Sequence, residues 1–175
     1  MAVPNPAGAG ADLLLVDNDA TIAELVAWVL QRAGYRVRTA QSFAAARGLL
    51  LAARPDLVLS DVDLGAESAL VELPQLAAAG LLPATLVVSG YLDEDKRALL
   101  GALPMVVGFL DKPFDPRELA ARVELALAEA CARGLVGPGG ALPAAGATGN
   151  AGWESPPSGE DGDSDDGWIE IGGGL

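Results

Sequence analysis

Between residues 12 and 133 the spacing of apolar positions switches repeatedly between two periods. Leu13-Leu14-Leu15-Val16 is a continuous apolar run, the pattern of a strand covered on both faces. Ile22, Leu25, Val26, Val29, Leu30 and Ala33 then fall at i, i+3, i+4, i+7, i+8 and i+11, a helical stripe. Asp19 is placed to cap that helix and Gly34 to end it. Tyr35 to Thr39 reads as a short alternating strand, and Val37 between two arginines suits a sheet edge. Ser42 to Ala53 is helical and closed by Pro55; Leu57-Val58-Leu59-Ser60 is a third strand. Ala66 to Ala79 reads as a helix broken or bent near Pro74. Thr85-Leu86-Val87-Val88 is a fourth strand, Asp93 to Gly101 a short helix, and Met105 to Leu110 a fifth strand. The last helix opens with Asp115 as cap, Pro116 at its first position and Glu118 completing a capping box. Leu119, Val123, Leu127 and Ala130 mark its buried face. Five strands alternating with five helices predict an α/β fold, a parallel sheet with helices on both sides.

Composition narrows the function classes. Hydrophobic residues make up 51% of the 175 and aromatics 5%, so the core is built from Ala, Leu and Val. A formal net charge of −13 opposes a nucleic-acid surface, which needs clustered Lys and Arg. No helix-turn-helix pattern follows the last helix, so no DNA-binding output is expected. Cys131 is the only cysteine; it excludes an internal disulfide and a thiolate metal cluster and is expected to be buried late in a helix. Residues 1–11 carry no basic stretch and no long apolar run, and no segment reads as a bilayer span. The expectation is a cytoplasmic protein without membrane contact.

Charge also divides the chain near Gly134. Residues 12–133 hold all eleven Lys and Arg, whereas residues 134–175 hold seven acids and no base. The net charge therefore splits as −6 (11 bases against 17 acids) and −7. The acidic segment is rich in Gly and Pro and reads as disordered, after a domain over 12–133 and a short extension over 1–11. Trp153, Trp168 and the run Trp168-Ile169-Glu170-Ile171 give this tail two readings, a solubilising linker or a docking peptide.

The chemistry lies at the strand ends, where open α/β sheets carry their sites. Asp17-Asn18-Asp19 follows the first strand, Asp61-Val62-Asp63 the third, Ser89-Gly90 the fourth and Asp111-Lys112-Pro113-Phe114 the fifth. With the first strand between the second and third, these ends converge. Carboxylates gathered there repel one another, a conflict that a hard divalent cation such as Mg²⁺ removes. A carboxylate beside such a cation acts as a nucleophile toward a phosphoryl group, with Lys112 supplying counter-charge and Ser89 a hydroxyl. Only Lys96 and Lys112 are lysines, against nine arginines, which favours a specific role for Lys112. Tyr91, Asp93-Glu94-Asp95 and Lys96-Arg97 read as a solvated helix start.

These residues resemble response-regulator receiver domains. Leu15-Val16-Asp17-Asn18-Asp19 is similar to the acidic loop of that family and Leu57-Val58-Leu59-Ser60-Asp61 to its phosphoacceptor strand. Val88-Ser89-Gly90-Tyr91 is similar to its hydroxyl position and Phe109-Leu110-Asp111-Lys112-Pro113-Phe114 to its lysine–proline motif. The resemblance covers residues 12–130 and implies a flavodoxin-like (βα)5 three-layer sandwich with strand order 2-1-3-4-5. It implies that Asp61 accepts phosphate from a sensor histidine kinase or phosphotransfer protein, in a domain that promotes its own phosphorylation and dephosphorylation. Asp17, Asn18, Asp61 and the carbonyl of Asp63 would hold Mg²⁺, Lys112 would pair with the phosphate, and Ser89 and Phe109 would form the switch. The Lys112–Pro113 bond would be cis. Signal output would pass to a protein target through the fifth strand and its flanking helices or through the tail. Two departures stand out. Asn18 replaces the family's usual second acid, which lowers the charge offered to a metal, and Gly65 stands where the family usually places a proline.

Three rivals remain open at this point. Asp61-Val62-Asp63 also resembles the first motif of haloacid-dehalogenase-type phosphatases, although the Thr or Val expected at position 65 is absent. A flavodoxin-like flavin binder shares the topology, but its phosphate loop would be repelled by Asp17 and Asp19. A pseudo-receiver that keeps the fold and signals by binding alone is favoured by Asn18.

Overall fold

The computed structural model describes residues 10–136, and the expectations for residues 1–9 and for 137–175, including both tail tryptophans, lie outside the described residues. Each predicted strand forms: β1 (Asp12–Val16), β2 (Arg36–Ala40), β3 (Leu57–Asp61), β4 (Thr85–Ser89) and β5 (Val106–Asp111). They alternate with α1 (Ala20–Arg32), α2 (Phe43–Ala52), α3 (Ala69–Ala78), α4 (Glu94–Gly101) and α5 (Pro116–Ala132). All four pairings are parallel and the order is β2-β1-β3-β4-β5, the flavodoxin-like arrangement. β2 lies at the sheet edge as expected, and its Arg38 pairs with Asp12 at 3.2 Å and donates to the carbonyls of Leu49 and Ala53 at the end of α2.

Alternate side chains of the apolar runs feed two cores. Leu13, Leu15, Leu57, Leu59 and Leu86 pack under α1 and α5. Leu14, Val16, Val58 and Val87 pack under α2 and α3 on the other face. Leu13, Leu14, Leu57 and Leu59 are fully buried, each contributing roughly 1.5–3 kcal/mol of transfer free energy. The two caps read from the sequence form, and others join them: Asp19 accepts from the amides of Thr21 and Ile22, and Ser42 from Ala45. Asp93 accepts from Lys96, and Asp115 from Arg117 and Glu118. Each such cap contributes about 1 kcal/mol.

Several expectations are corrected. Leu25 is 61% exposed and does not belong to the buried stripe of α1. The small residues Ala23 and Ala27 face the sheet with Val26 and Leu30, and the stripe is rotated by that amount. Cys131 is exposed rather than buried, because Leu127 and Ala130 already occupy the inward face of α5. α3 begins at Ala69, three residues later than expected, since Asp63 and Ser68 first form an antiparallel bridge and Ser68 then caps the helix. It runs on through Pro74 without ending there. At the end of α5, Gly134 adopts φ +68°, the Leu135 amide returns to the Ala130 carbonyl, and Val136 is buried. Packing therefore continues to Val136, past residue 133.

Asp56, just before β3, is buried and ties the start of β1: its Oδ2 accepts the Asp12 amide at 2.7 Å. Burial is the largest influence on its carboxyl and holds it above the ordinary 3.8, against the bond from Asp12. A raised folded value means stability from this group is present below pH 3.8 and lost as pH rises through the folded value. Asp56→Asn keeps an acceptor without the buried charge and is expected to be at least as stable as the wild type in urea denaturation at pH 7. Asp56→Ala strands the Asp12 amide and is expected to lose about 1–3 kcal/mol.

Candidate functional site

β1 and β3 are neighbours, and each ends its apolar run on an aspartate. Asp17 is buried at the end of β1, where its Oδ1 accepts the Asp19 amide at 2.9 Å and so shapes the turn into α1. Asp61, the last residue of β3, has a side chain 14% exposed, and its Oδ1 accepts the Val62 amide at 2.7 Å. The second oxygens of both carboxylates point at one ammonium. Lys112 Nζ lies 2.9 Å from Asp17 Oδ2 and 3.0 Å from Asp61 Oδ2. The Lys112 amide donates to the Ser89 carbonyl at 2.7 Å, and the Lys112–Pro113 bond is cis.

Beyond Asp61 opens a cleft of about 370 Å³ whose walls include Asp63, Ser89, Lys96 and Lys112. Of the residues singled out by sequence, Asp17, Asp61 and Lys112 are in direct contact and Ser89 lines the cleft. Ser89 is buried, yet its hydroxyl is engaged locally: it donates to the Tyr91 carbonyl at 3.0 Å and accepts the Tyr91 amide at 3.3 Å. Phe109 lies farther out on β5, with the Arg97 guanidinium 4.9 Å above its ring. Asn18 is exposed, and among the described residues its side chain makes no hydrogen bond. Its Nδ2 lies 3.7 Å from where a Cβ on Gly65 would sit. Gly65 has φ +75°, so the loop after Asp61 follows a path closed to proline.

The donor chemistry suits a hard cation. Carboxylate oxygens of Asp17 and Asp61, the Asn18 amide and a carbonyl form an all-oxygen set. The bridge after β3 uses the Val62 carbonyl and the Leu64 amide and leaves the Asp63 carbonyl without a backbone donor. The set is lean, however. Among the described residues no three acidic, His or Cys side chains gather around one point, and Lys112 already holds both inward carboxylate oxygens.

The comparisons with known proteins bear on this arrangement. The family model described as the response regulator receiver domain matches residues 13–124. The chain belongs to that family. It is 29% identical over 119 residues to the phosphate regulon transcriptional regulatory protein PhoB of Pseudomonas aeruginosa, covering 67% of this chain and 52% of that protein. It is 35% identical over 123 residues to the DNA-binding transcriptional regulator NtrC of Rhizobium meliloti, covering 69% of this chain and 25% of that protein. The chain thus spans about half or less of these curated relatives. Its fold is similar to that of the chemotaxis response regulator CheY4 of Vibrio cholerae, with a TM-score of 0.61 and 27% identity over 67% of this chain and 98% of that one. No helix of the described residues of this receiver is long and apolar enough to cross a membrane.

One wall of the cleft was not foreseen. Lys96, read as part of a solvated helix start, lines the same cleft as Asp61. The scarcity of lysine was the available signal, and it applies to Lys96 as much as to Lys112.

Burial pulls the Lys112 ammonium down most strongly, but the hydrogen bonds to Asp17 and Asp61, together with their charges, overcome it and raise its pKa above the ordinary 10.5. Stability from this ammonium is therefore complete below pH 10.5 and lost as pH climbs through the folded value. The ¹³Cε resonance of Lys112 is expected to titrate above 10.5 in the wild type. In Asp17→Asn/Asp61→Asn burial acts unopposed, and the midpoint is expected to fall below 10.5.

Proposed function

We infer that Asp61 is the phosphoacceptor of this receiver, taking a phosphoryl group from a histidine kinase or phosphotransfer protein. The observation that carries the reading is Lys112, whose ammonium pairs with Asp61 at the mouth of an open cleft while Asp17 shares it from the adjacent strand. In the transfer, an Asp61 carboxylate oxygen attacks phosphorus, the phosphorus–nitrogen bond of the donor phosphohistidine breaks, and its electron pair returns to the imidazole, which takes a proton. On this reading the chain is a phosphoacceptor that assists its own phosphorylation and dephosphorylation, not an enzyme with a separate substrate.

Lys112 stands where charge builds on the equatorial oxygens. Mg²⁺ bound by Asp17, Asn18, Asp61 and the Asp63 carbonyl would supply further charge neutralisation at the same oxygens. With an amide in place of a second acid beside Asp17, its affinity is expected to be low. For Ser89 to reach the phosphoryl group, its hydroxyl must leave the Tyr91 carbonyl, which links phosphorylation to the loop before α4.

The surface around β5 is the natural reader of that change. Phe109 and Val107 line a groove of about 210 Å³ against α5, with Leu125 and Arg122 on its other side. Leu99 on α4 and Leu125 on α5 are each more than 60% exposed, apolar groups that a protein target would cover. Phosphorylation acts on this surface only as far as it stabilises one arrangement of Ser89 and Phe109 over another. The target, like the kinase, is a protein; cytoplasmic location and an output that does not involve DNA belong to the same proposal.

A second reading, a pseudo-receiver working without phosphate, is favoured by Asn18, which is exposed and engaged with neither aspartate. Acetyl phosphate with MgCl₂ separates the two. The expected result is a mass gain of one phosphoryl group, absent in Asp61→Asn. No gain at saturating donor and in the presence of a phosphorylated histidine kinase would establish the pseudo-receiver instead.

A further inference from the structure

The chain contains two lysines and nine arginines, and both lysines line the Asp61 cleft. The two ammoniums are held differently. Lys112 has a side chain 19% exposed and is fixed between two carboxylates. Lys96, on the first turn of α4, is 41% exposed and pairs with Asp93 alone, at 3.1 Å. An exposed pair three residues apart on a helix contributes little, so Lys96 leaves its partner at small cost. Asp93 then keeps its second contact, the Lys96 amide at 2.8 Å, and α4 keeps its cap.

Charge bookkeeping shows why a second cation matters. Asp17, Asp61 and Lys112 together carry a net −1. A phosphoryl group on Asp61 replaces one negative charge with about −1.5 to −2. Lys112, already shared with Asp17, does not offset the excess. Lys96 is the other ammonium on the cleft wall, on a flexible four-carbon stem suited to following a moving point of charge.

We propose that Lys96 is a second phosphoryl-binding residue of this site, whose ammonium leaves Asp93 to pair with the phosphoryl oxygens carried by Asp61. The proposal rests on the phosphoacceptor reading of Asp61 given above. It assigns Lys96 two tasks at one place: attracting an anionic phosphodonor into the cleft, and retaining the acyl phosphate once formed. It also ties the first turn of α4 to the phosphoryl group directly, independently of Ser89. α4 is the helix such a pull would shift, because Leu100 is its one buried residue.

The test uses the full chain with acetyl phosphate and MgCl₂, following formation of phosphorylated Asp61 by mass spectrometry and its decay after donor removal. Lys96→Gln is expected to slow formation about fivefold at low ionic strength, the scale of one partly exposed charge pair. The difference is expected to shrink as salt is added. Lys96→Arg keeps the charge and should retain most of the rate. Asp93→Asn, which preserves a cap acceptor while releasing the ammonium, should speed formation. Arg32→Gln, at the far end of the sheet on α1, controls for loss of one positive charge and should leave the rate unchanged. A phosphorylated wild type matched by Lys96→Gln in both formation and decay overturns the proposal, as does Lys96→Arg behaving like Lys96→Gln. A wild type that takes up no phosphoryl group from acetyl phosphate or from a phosphorylated histidine kinase is a separate outcome: it removes the phosphoacceptor reading and this inference with it.

Discussion

The Lys112 ammonium, 2.9 Å from Asp17 and 3.0 Å from Asp61, reconciles two demands that conflict. A parallel sheet brings the ends of β1 and β3 side by side, and both end in aspartate. Two largely enclosed carboxylates at that separation repel strongly in a medium less polar than water. One cation from β5, two strands away from β3, offsets both. The contact spans 95 residues of sequence to Asp17 and 51 to Asp61, so it forms only when the whole sheet is assembled. The site is in this sense a product of the topology rather than of any one loop.

The same contact limits what else the site does. With both inward oxygens committed to Lys112, a metal must share carboxylates rather than claim them, and Asn18 adds no charge to the competition. The other groups around the cleft are held lightly. Ser89 bonds to its own turn, Lys96 to a partner on its own helix, and Asp63 offers a carbonyl with no backbone donor. A tightly held pair of acids surrounded by loosely held polar groups is what a site needs if it is to accept a charged group and rearrange around it.

Much of this was legible in the sequence because the signals are local. Four of the five strands are continuous apolar runs bounded by Gly, Pro or acids, and the caps Asp19, Ser42, Asp93 and Asp115 sit where the pattern starts. Family motifs added the order of the strands and the set Asp17, Asp61, Ser89 and Lys112. What was missed depends on how elements rotate against each other. Leu25 and Cys131 lie next to inward-facing positions on their helices, and a shift of one position decides between core and solvent. The start of α3 depended on the bridge between Asp63 and Ser68, which no periodicity encodes. Lys96 stands among charged neighbours in the sequence, and its relation to Asp61 exists only once α4 is folded against β5 and α3.

The loop after Asp61 holds a consequence for how this chain relates to others of its fold. Gly65 at φ +75° occupies backbone space that proline, fixed near −65°, does not enter. Exchanging one for the other is therefore not a change of stiffness along a shared path but a change of hand, and the residues around it must move together. A chimera that imports a proline-bearing loop into this chain would also change the surroundings of position 18, since the Asn18 amide rests beside Gly65. Positions 18 and 65 are neighbours in space, so an exchange at 65 is felt beside the Asn18 amide as well as along its own loop.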